Sequence, residues 1–221
     1  MATPLALGVL LSGSGSNLQA LIDAIDAGRL DARIAVVVSN RTEAYGLTRA
    51  RAAAVSTVAL PHGDFPSRAD YDARLVEILR AHGVELVALA GFMRLVTPVL
   101  LGAYPGRVLN IHPALLPAFP GLHAERQALA YGVPLTGVTV HFVDEQADHG
   151  PVILQIAVPV LPGDTEETLH LRIQTQEHRA YPQAIQWIAE GRVRVENRRV
   201  LVAGAATPDQ RLASPALDRG R

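Results

Sequence analysis

Asn110 and His112 stand two residues apart at the end of a short aliphatic run, and Pro113 follows at once. Side chains at i and i+2 of a strand share one face, roughly 6 to 7 Å apart along it, so an amide donor and an imidazole placed this way can converge on one small group while Ile111 points into the core. Such a pair could steady a developing oxyanion and move a proton. A lone Asn-x-His has a plainer use as a strand-end cap and a structural histidine. A second grouping is Ser12-Gly13-Ser14-Gly15-Ser16-Asn17, at the end of the first apolar run. Small residues there let backbone N–H groups approach an anion at a helix N-terminus, where the dipole and the unpaired donors both favour phosphate. The third glycine of a dinucleotide fingerprint is missing, Leu18 holding that position, and Asn40 rather than an acidic residue ends the second run, which disfavours NAD. No Gly-Lys-Ser/Thr follows, so an ATP P-loop is absent. A tight strand-to-helix turn that binds nothing has the same composition.

These residues need a scaffold, and the hydrophobic rhythm supplies one. Leu5 to Leu11, Ile34 to Ser39, Val55 to Leu60, Leu86 to Ala90 and Val108 to Ile111 have strand length and aliphatic or β-branched composition. Between them Leu18 to Ile25, Tyr45 to Ala54, Tyr71 to Leu79 and Thr97 to Tyr104 carry helical spacing. The order β-α-β-α-β-α-β-α-β predicts an α/β, doubly wound, mostly parallel sheet with helices on both faces and ligands outside the carboxyl ends of its strands. His112 to Leu122, with three prolines and a glycine, is expected as a fixed loop. Thr136 to Val143 and Val152 to Val160 are expected to pair as an antiparallel hairpin across the loop 144–151. Thr165 to Ala189 reads as a long helix capped by Asp164 or Thr165, which Pro182 should kink or divide. Residues 1–203 are expected to form one domain and 204–221 a disordered tail.

Composition narrows the function classes. The 221 residues are 49% hydrophobic but only 5% aromatic, which suits the aliphatic core of a buried parallel sheet. A net charge of −1 provides no global field for nucleic acid or an anionic membrane, so any anionic ligand must be held locally. The absence of cysteine removes disulfides, thiolate catalysis and cysteine metal sites. The eight histidines show no His-Glu-x-x-His or other ligand spacing, and no metal is expected. No basic region precedes the first apolar run and no stretch nears the ~20 apolar residues of a membrane span, so a soluble, cytoplasmic protein is expected.

The string Asn110-Ile111-His112-Pro113-Ala114-Leu115-Leu116-Pro117, followed by Pro120-Gly121-Leu122-His123, resembles the folate-dependent formyltransferases. Their pattern is Asn-x-His-Pro-Ser-Leu-Leu-Pro, so Ala114 replaces the usual serine, a departure expected to matter little. Ser12 to Gln19, Ala90-Gly91-Phe92-Met93-Arg94, Asp148 to Gln155 and Gln174-Thr175-Gln176-Glu177-His178 occur in the family's order and resemble its glycinamide ribonucleotide branch most. The resemblance covers nearly all of the chain up to about residue 200. It implies transfer of the formyl group of 10-formyltetrahydrofolate, a co-substrate, to the amine of glycinamide ribonucleotide in purine biosynthesis, without a metal. It makes Asn110, His112 and Asp148 the catalytic trio, although Asp148 on its spacing alone is an ordinary turn aspartate before Gly150-Pro151. Beside His112 that carboxylate would favour the imidazolium. The resemblance places the substrate phosphate on Gly15, Ser16 and Asn17, the ribose near Glu177, with Gln174 three residues before it on the same helix face as a further substrate contact, and the folate over Met93, Arg94, Leu95 and Val96, with Asn110 at its formyl end and Arg68 at its glutamate tail. His141 either faces this site or is structural. The partners implied are small molecules, with no nucleic acid or membrane, and a monomer or homodimer. Other readings stay open: a formyltetrahydrofolate hydrolase or another formyl-folate transferase such as the methionyl-tRNA enzyme, and a non-catalytic module that binds a phosphorylated ligand.

Overall fold

A computed structural model describes residues 3–205; most of the expected tail, residues 206–221, lies outside them. Five parallel strands form as the aliphatic runs dictate: β1 (Leu5–Leu11), β2 (Ala32–Ser39), β3 (Thr57–Ala59), β4 (Leu86–Leu89) and β5 (Val108–His112). They are joined by α1 (Ser16–Asp26), α2 (Tyr45–Ala52), α3 (Arg68–Ala81, after a short 3₁₀ turn) and α4 (Pro98–Ala103). Then α5 (Ala124–Tyr131), β6 (Leu135–Phe142), β7 (Val152–Pro159), α6 (Glu166–Ala189), β8 (Val193–Glu196) and β9 (Arg199–Val202) complete the described chain. The seven-stranded sheet runs β3-β2-β1-β4-β5-β6-β7, with β6 antiparallel to β5 and to β7. The expected doubly wound sheet and hairpin are therefore both present.

Alternation along each strand splits the core between the two faces. Leu7, Val9 and Leu11 of β1 and Leu109 and Ile111 of β5 pack with α1 and α6, while Leu10, Val38, Val87 and Val108 pack with Tyr71, Leu75 and Leu79 of α3 and Leu100 of α4. The chain winds outward from β1 to β3, then returns to place β4 on the other side of β1. That reversal opens a crevice beyond the carboxyl ends of β1, β4 and β5, where such sheets place ligands.

Three features depart from the sequence reading. Pro182 does not divide α6, which runs unbroken for 24 residues. Proline removes one helix hydrogen bond, but Tyr181 and Pro182 are both buried, and the Tyr181 hydroxyl donates to the carbonyls of Leu89 (2.9 Å) and Leu109 (3.3 Å), tying the helix to β4 and β5. Tertiary contact outweighs local preference here. Helix α5 and the small β8–β9 hairpin were not expected from the sequence, and both border segments that matter to the cleft.

Candidate active site

The turn after β1 needs glycine for two physical reasons. Gly15 has φ +73°, a conformation costly for other residues, and a Cβ there would lie 2.6 Å from the Cα of Gly46. With Gly15 in this conformation α1 starts at Ser16, so the first N–H groups of an eleven-residue helix face the crevice. The turn is tied to the segment after β4: Ser12 N–H donates to Gly91 O (3.0 Å), and the Ser12 hydroxyl accepts from Met93 N–H (2.8 Å). Farther along that segment, buried Asp72 of α3 accepts from both the N–H (2.6 Å) and the hydroxyl (2.7 Å) of Thr97. Burial pushes the Asp72 carboxyl up, and the Thr97 bonds and nearby arginines offset only part of this. Arg94 lies over the Tyr71 ring, 4.3 Å from its centre. Thus 91–97 is a fixed, non-helical wall whose Met93 and Leu95 side chains are more than half exposed.

At the end of β5, Asn110 and His112 share a face as expected, and Ile111 is buried on the other. Asp148 arrives from the β6–β7 loop at φ +51°. Its Oδ2 accepts from Gly121 N–H at 2.7 Å and lies 3.6 Å from His112 Nδ1, while its Oδ1 is 3.5 Å from Asn110 Nδ2. His112 Nε2 is 2.8 Å from Phe119 O. A carbonyl only accepts, so Nε2 carries a hydrogen and the ring is held from that side. The short bonds anchor the trio from behind. The long ones, 3.5 and 3.6 Å, lie between its members, where a small oxygen could enter.

His141 faces this group. It stands directly across from Asn110 in the β5–β6 register, with Nε2 3.3 Å from Asn110 Nδ2 and Nδ1 2.8 Å from Phe142 O. Burial pushes its pKa down, more than the Phe142 bond and the Asp148 charge raise it. The ring is then neutral near pH 7, its Nδ1–H donating to Phe142 O and its Nε2 accepting from the Asn110 amide. This fixes which end of Asn110 is the donor. His141→Phe will lower kcat by roughly 10- to 100-fold, as a small misplacement of a reacting group does, with substrate KM values nearly unchanged. Steady-state kinetics check this, and a kcat within twofold of wild type would remove His141 as the orienter of Asn110.

The loop 113–122 is held by side chains from β6 and β7. Thr139 Oγ1 donates to Ala114 O (2.7 Å) and accepts from Leu116 N–H (3.0 Å), and Gln155 Nε2 donates to Leu116 O (2.8 Å). Ala114 is fully buried, a place where an alanine leaves no hydroxyl to satisfy. On the outer side, Arg198 in the β8–β9 turn donates to His149 O (2.7 Å), and the His149 ring bonds Asp144 (2.9 Å), bracing the loop that carries Asp148.

One cleft of about 1670 Å³ joins these parts. Pockets for one drug-sized ligand measure roughly 300 to 1,000 Å³, so this space suits two molecules side by side. Every residue that the resemblance assigns to the site borders it: Gly15, Ser16 and Asn17 with Gln174 and Glu177 on one side; Arg68 and Met93 to Val96 on the other; Asn110, His112 and Asp148 between. Glu177 is buried, its carboxyl pushed up by burial and partly offset by the bond from Asn17 Nδ2 (3.1 Å). The sequence reading missed Glu125 and His170, which also border the cleft and bond to each other at 2.7 Å. They are 45 residues apart, and no local spacing signals them. Among the described residues no group of side chains is arranged to hold a metal, and no helix is long and apolar enough to cross a membrane.

Residues 6–185 match the family described as formyl transferase. The chain is 46% identical to phosphoribosylglycinamide formyltransferase of Escherichia coli (strain K12) over 206 residues, covering 93% of this chain and 97% of that one. Among solved structures, glycinamide ribonucleotide transformylase 1 from Symbiobacterium toebii is 55% identical with a TM-score of 0.90, covering 91% of this chain and 95% of that one. The phosphoribosylglycinamide formyltransferase of Coxiella burnetii is 44% identical with a TM-score of 0.86, covering 91% and 94%. The chain, across a span that includes every site residue described above, belongs to the formyl transferase family.

Proposed function

We propose that this enzyme transfers the formyl group of 10-formyltetrahydrofolate to the amine of glycinamide ribonucleotide, giving the formylated ribonucleotide and tetrahydrofolate in purine biosynthesis, and that residues 1–203 act as one formyltransferase unit. The observation that carries the reading is the meeting of Asn110, His112 and Asp148 midway along a cleft with a helix-N-terminal turn at one end and an apolar wall at the other. The relatives' names fit it, and nothing favours a hydrolase or a non-catalytic module.

The backbone N–H groups of Gly15, Ser16 and Asn17 hold the phosphate, and Gln174 and Glu177 the ribose. Met93 and Leu95 offer apolar surface to the folate ring system, and Arg68 a guanidinium to its carboxylate tail. The folate supplies an N-formyl group whose carbon the substrate amine attacks. Asn110 Nδ2 and His112 Nδ1 hold the formyl oxygen as it gains negative charge, replacing their long contacts to Asp148 with shorter ones. Asp148 takes the proton that the amine loses, directly or through water, and returns it to the departing folate nitrogen. No metal is needed.

Mixing the protein with both compounds and following tetrahydrofolate together with formylated product tests this. Stoichiometric appearance of the two is expected, and folate release without the amine would instead identify a hydrolase.

A further inference from the structure

We propose that His170, held by the buried carboxylate of Glu125, is a further phosphate ligand, presenting Nε2–H to the substrate's phosphate monoester beside the Gly15–Asn17 turn, so that binding the ester takes up a proton. This rests on reading that end of the cleft as a phosphoribosyl site.

Glu125, on the first turn of α5, is 8% exposed, and its Oε1 lies 2.7 Å from His170 Nδ1. A carboxylate only accepts, so Nδ1 carries a hydrogen and the state of Nε2 alone is variable. That atom faces Gln174 Nε2 at 3.3 Å, and the same amide nitrogen lies 3.2 Å from Ser16 Oγ. The ring is thus linked through Gln174 to the turn itself. With a neutral ring, Nε2 accepts from Gln174. With a protonated ring, two donors face each other, an arrangement that an anion between them resolves.

Charge gives the second reason. Every cationic side chain of this protein is arginine, and the turn Ser12–Asn17 holds none. Arg49 spends its Nε on Ser14 O and its Nη1 on Gln19. The groups around His170 are acidic: Glu125 from α5, and Glu166, Glu167 and Glu177 from its own helix. Arg126 of α5 is occupied, lying against Glu166 (3.0 Å) with the ring of the N-cap His123 3.7 Å from the same carboxylate, and His112 of β5 also acts on Glu125. The Glu125 bond outweighs burial and holds the His170 pKa above its ordinary value. Burial would raise the Glu125 carboxyl, but the bond from His170 and the nearby imidazoles hold it below its ordinary value. Both shifts favour the charged pair, and a phosphate dianion adds a second counter-charge on the exposed side that draws a proton onto any ring still neutral.

His170→Gln keeps an uncharged donor and removes the charge. It is expected to raise KM for glycinamide ribonucleotide by on the order of 10- to 100-fold, the loss of a charged hydrogen bond, far more than it lowers kcat, without changing the folate KM. In the wild type that KM should be lowest below the raised His170 pKa and climb as pH passes through it; Glu125→Gln should move the climb to lower pH. Calorimetric titration with inorganic phosphate in two buffers of different protonation enthalpy should show greater proton uptake for the wild type than for His170→Gln. An unchanged KM in His170→Gln, equal proton uptake, or a pH dependence unmoved in Glu125→Gln would each overturn the proposal. If the wild type forms no formylated product, the functional reading fails, and the phosphate titrations still decide the role of His170.

Discussion

His112→Ala will lower kcat by roughly 100- to 1000-fold, the effect of removing one preorganised donor to a developing oxyanion, about 2.7 to 4 kcal/mol. The size follows from how the ring is held. Nε2 is fixed against Phe119 O at 2.8 Å, which leaves Nδ1 aimed at the gap shared with Asn110 and Asp148, and the ring is 4% exposed, so water cannot take its place at low cost. Binding should survive, because neither the Gly15 turn nor the 91–97 wall takes its geometry from this ring. The unpartnered Phe119 carbonyl costs about 1 to 3 kcal/mol of stability, which lowers the melting temperature by a few degrees and leaves the fold intact. Asn110→Ala should lose a similar factor, and the double variant should lose less than the product of the two, since both donors serve one oxygen. Single-turnover measurements with thermal melts check this, and a kcat within tenfold of wild type in His112→Ala would remove the ring from the oxyanion site.

What the sequence made legible was what is local. Strand β5 could be read from Val108 to Ile111, and the period of two then set Asn110 and His112 on one face without any structure. The turn before α1 announced itself through Gly13 and Gly15. Legibility ended where chain-distant segments meet. His141 reaches Asn110 only because β6 enters antiparallel beside β5, and neither strand's composition dictates that pairing. Helix α5 follows the proline-rich loop so closely that its good helix formers, Ala124 to Ala130, were overshadowed, although Gly132 at φ +79° ends it in the usual way. The β8–β9 hairpin is marked only briefly, by alternation in Val193-Arg194-Val195-Glu196 and a turn residue at Asn197, φ +56°. Pro182 misled because the packing of Tyr181 beneath β4 and β5 lies outside any local rule.

The carboxylate shows most plainly how topology completes chemistry. Asp148 lies 38 residues from Asn110 and on spacing alone is a turn aspartate, yet the β6–β7 loop delivers it between both donors. Asp148→Asn will lower kcat by roughly 100- to 10,000-fold, the worth of a positioned proton acceptor, with the fold kept. Asparagine tolerates a positive φ as well as aspartate does, and its carbonyl oxygen can still accept from Gly121 N–H, so the loop keeps its path. The other end, in the place of Oδ1, becomes an NH₂ group facing Asn110 Nδ2, a donor meeting a donor, and the attacking amine loses its proton acceptor. Melting temperature should therefore change little while turnover collapses, the reverse of what a purely structural aspartate would give. Raising the pH should restore little of the lost rate, because the missing group is an acceptor held at one point rather than free base. An Asp148→Asn enzyme that turned over within tenfold of wild type, folded and saturable by both substrates, would show that the proton leaves by another route.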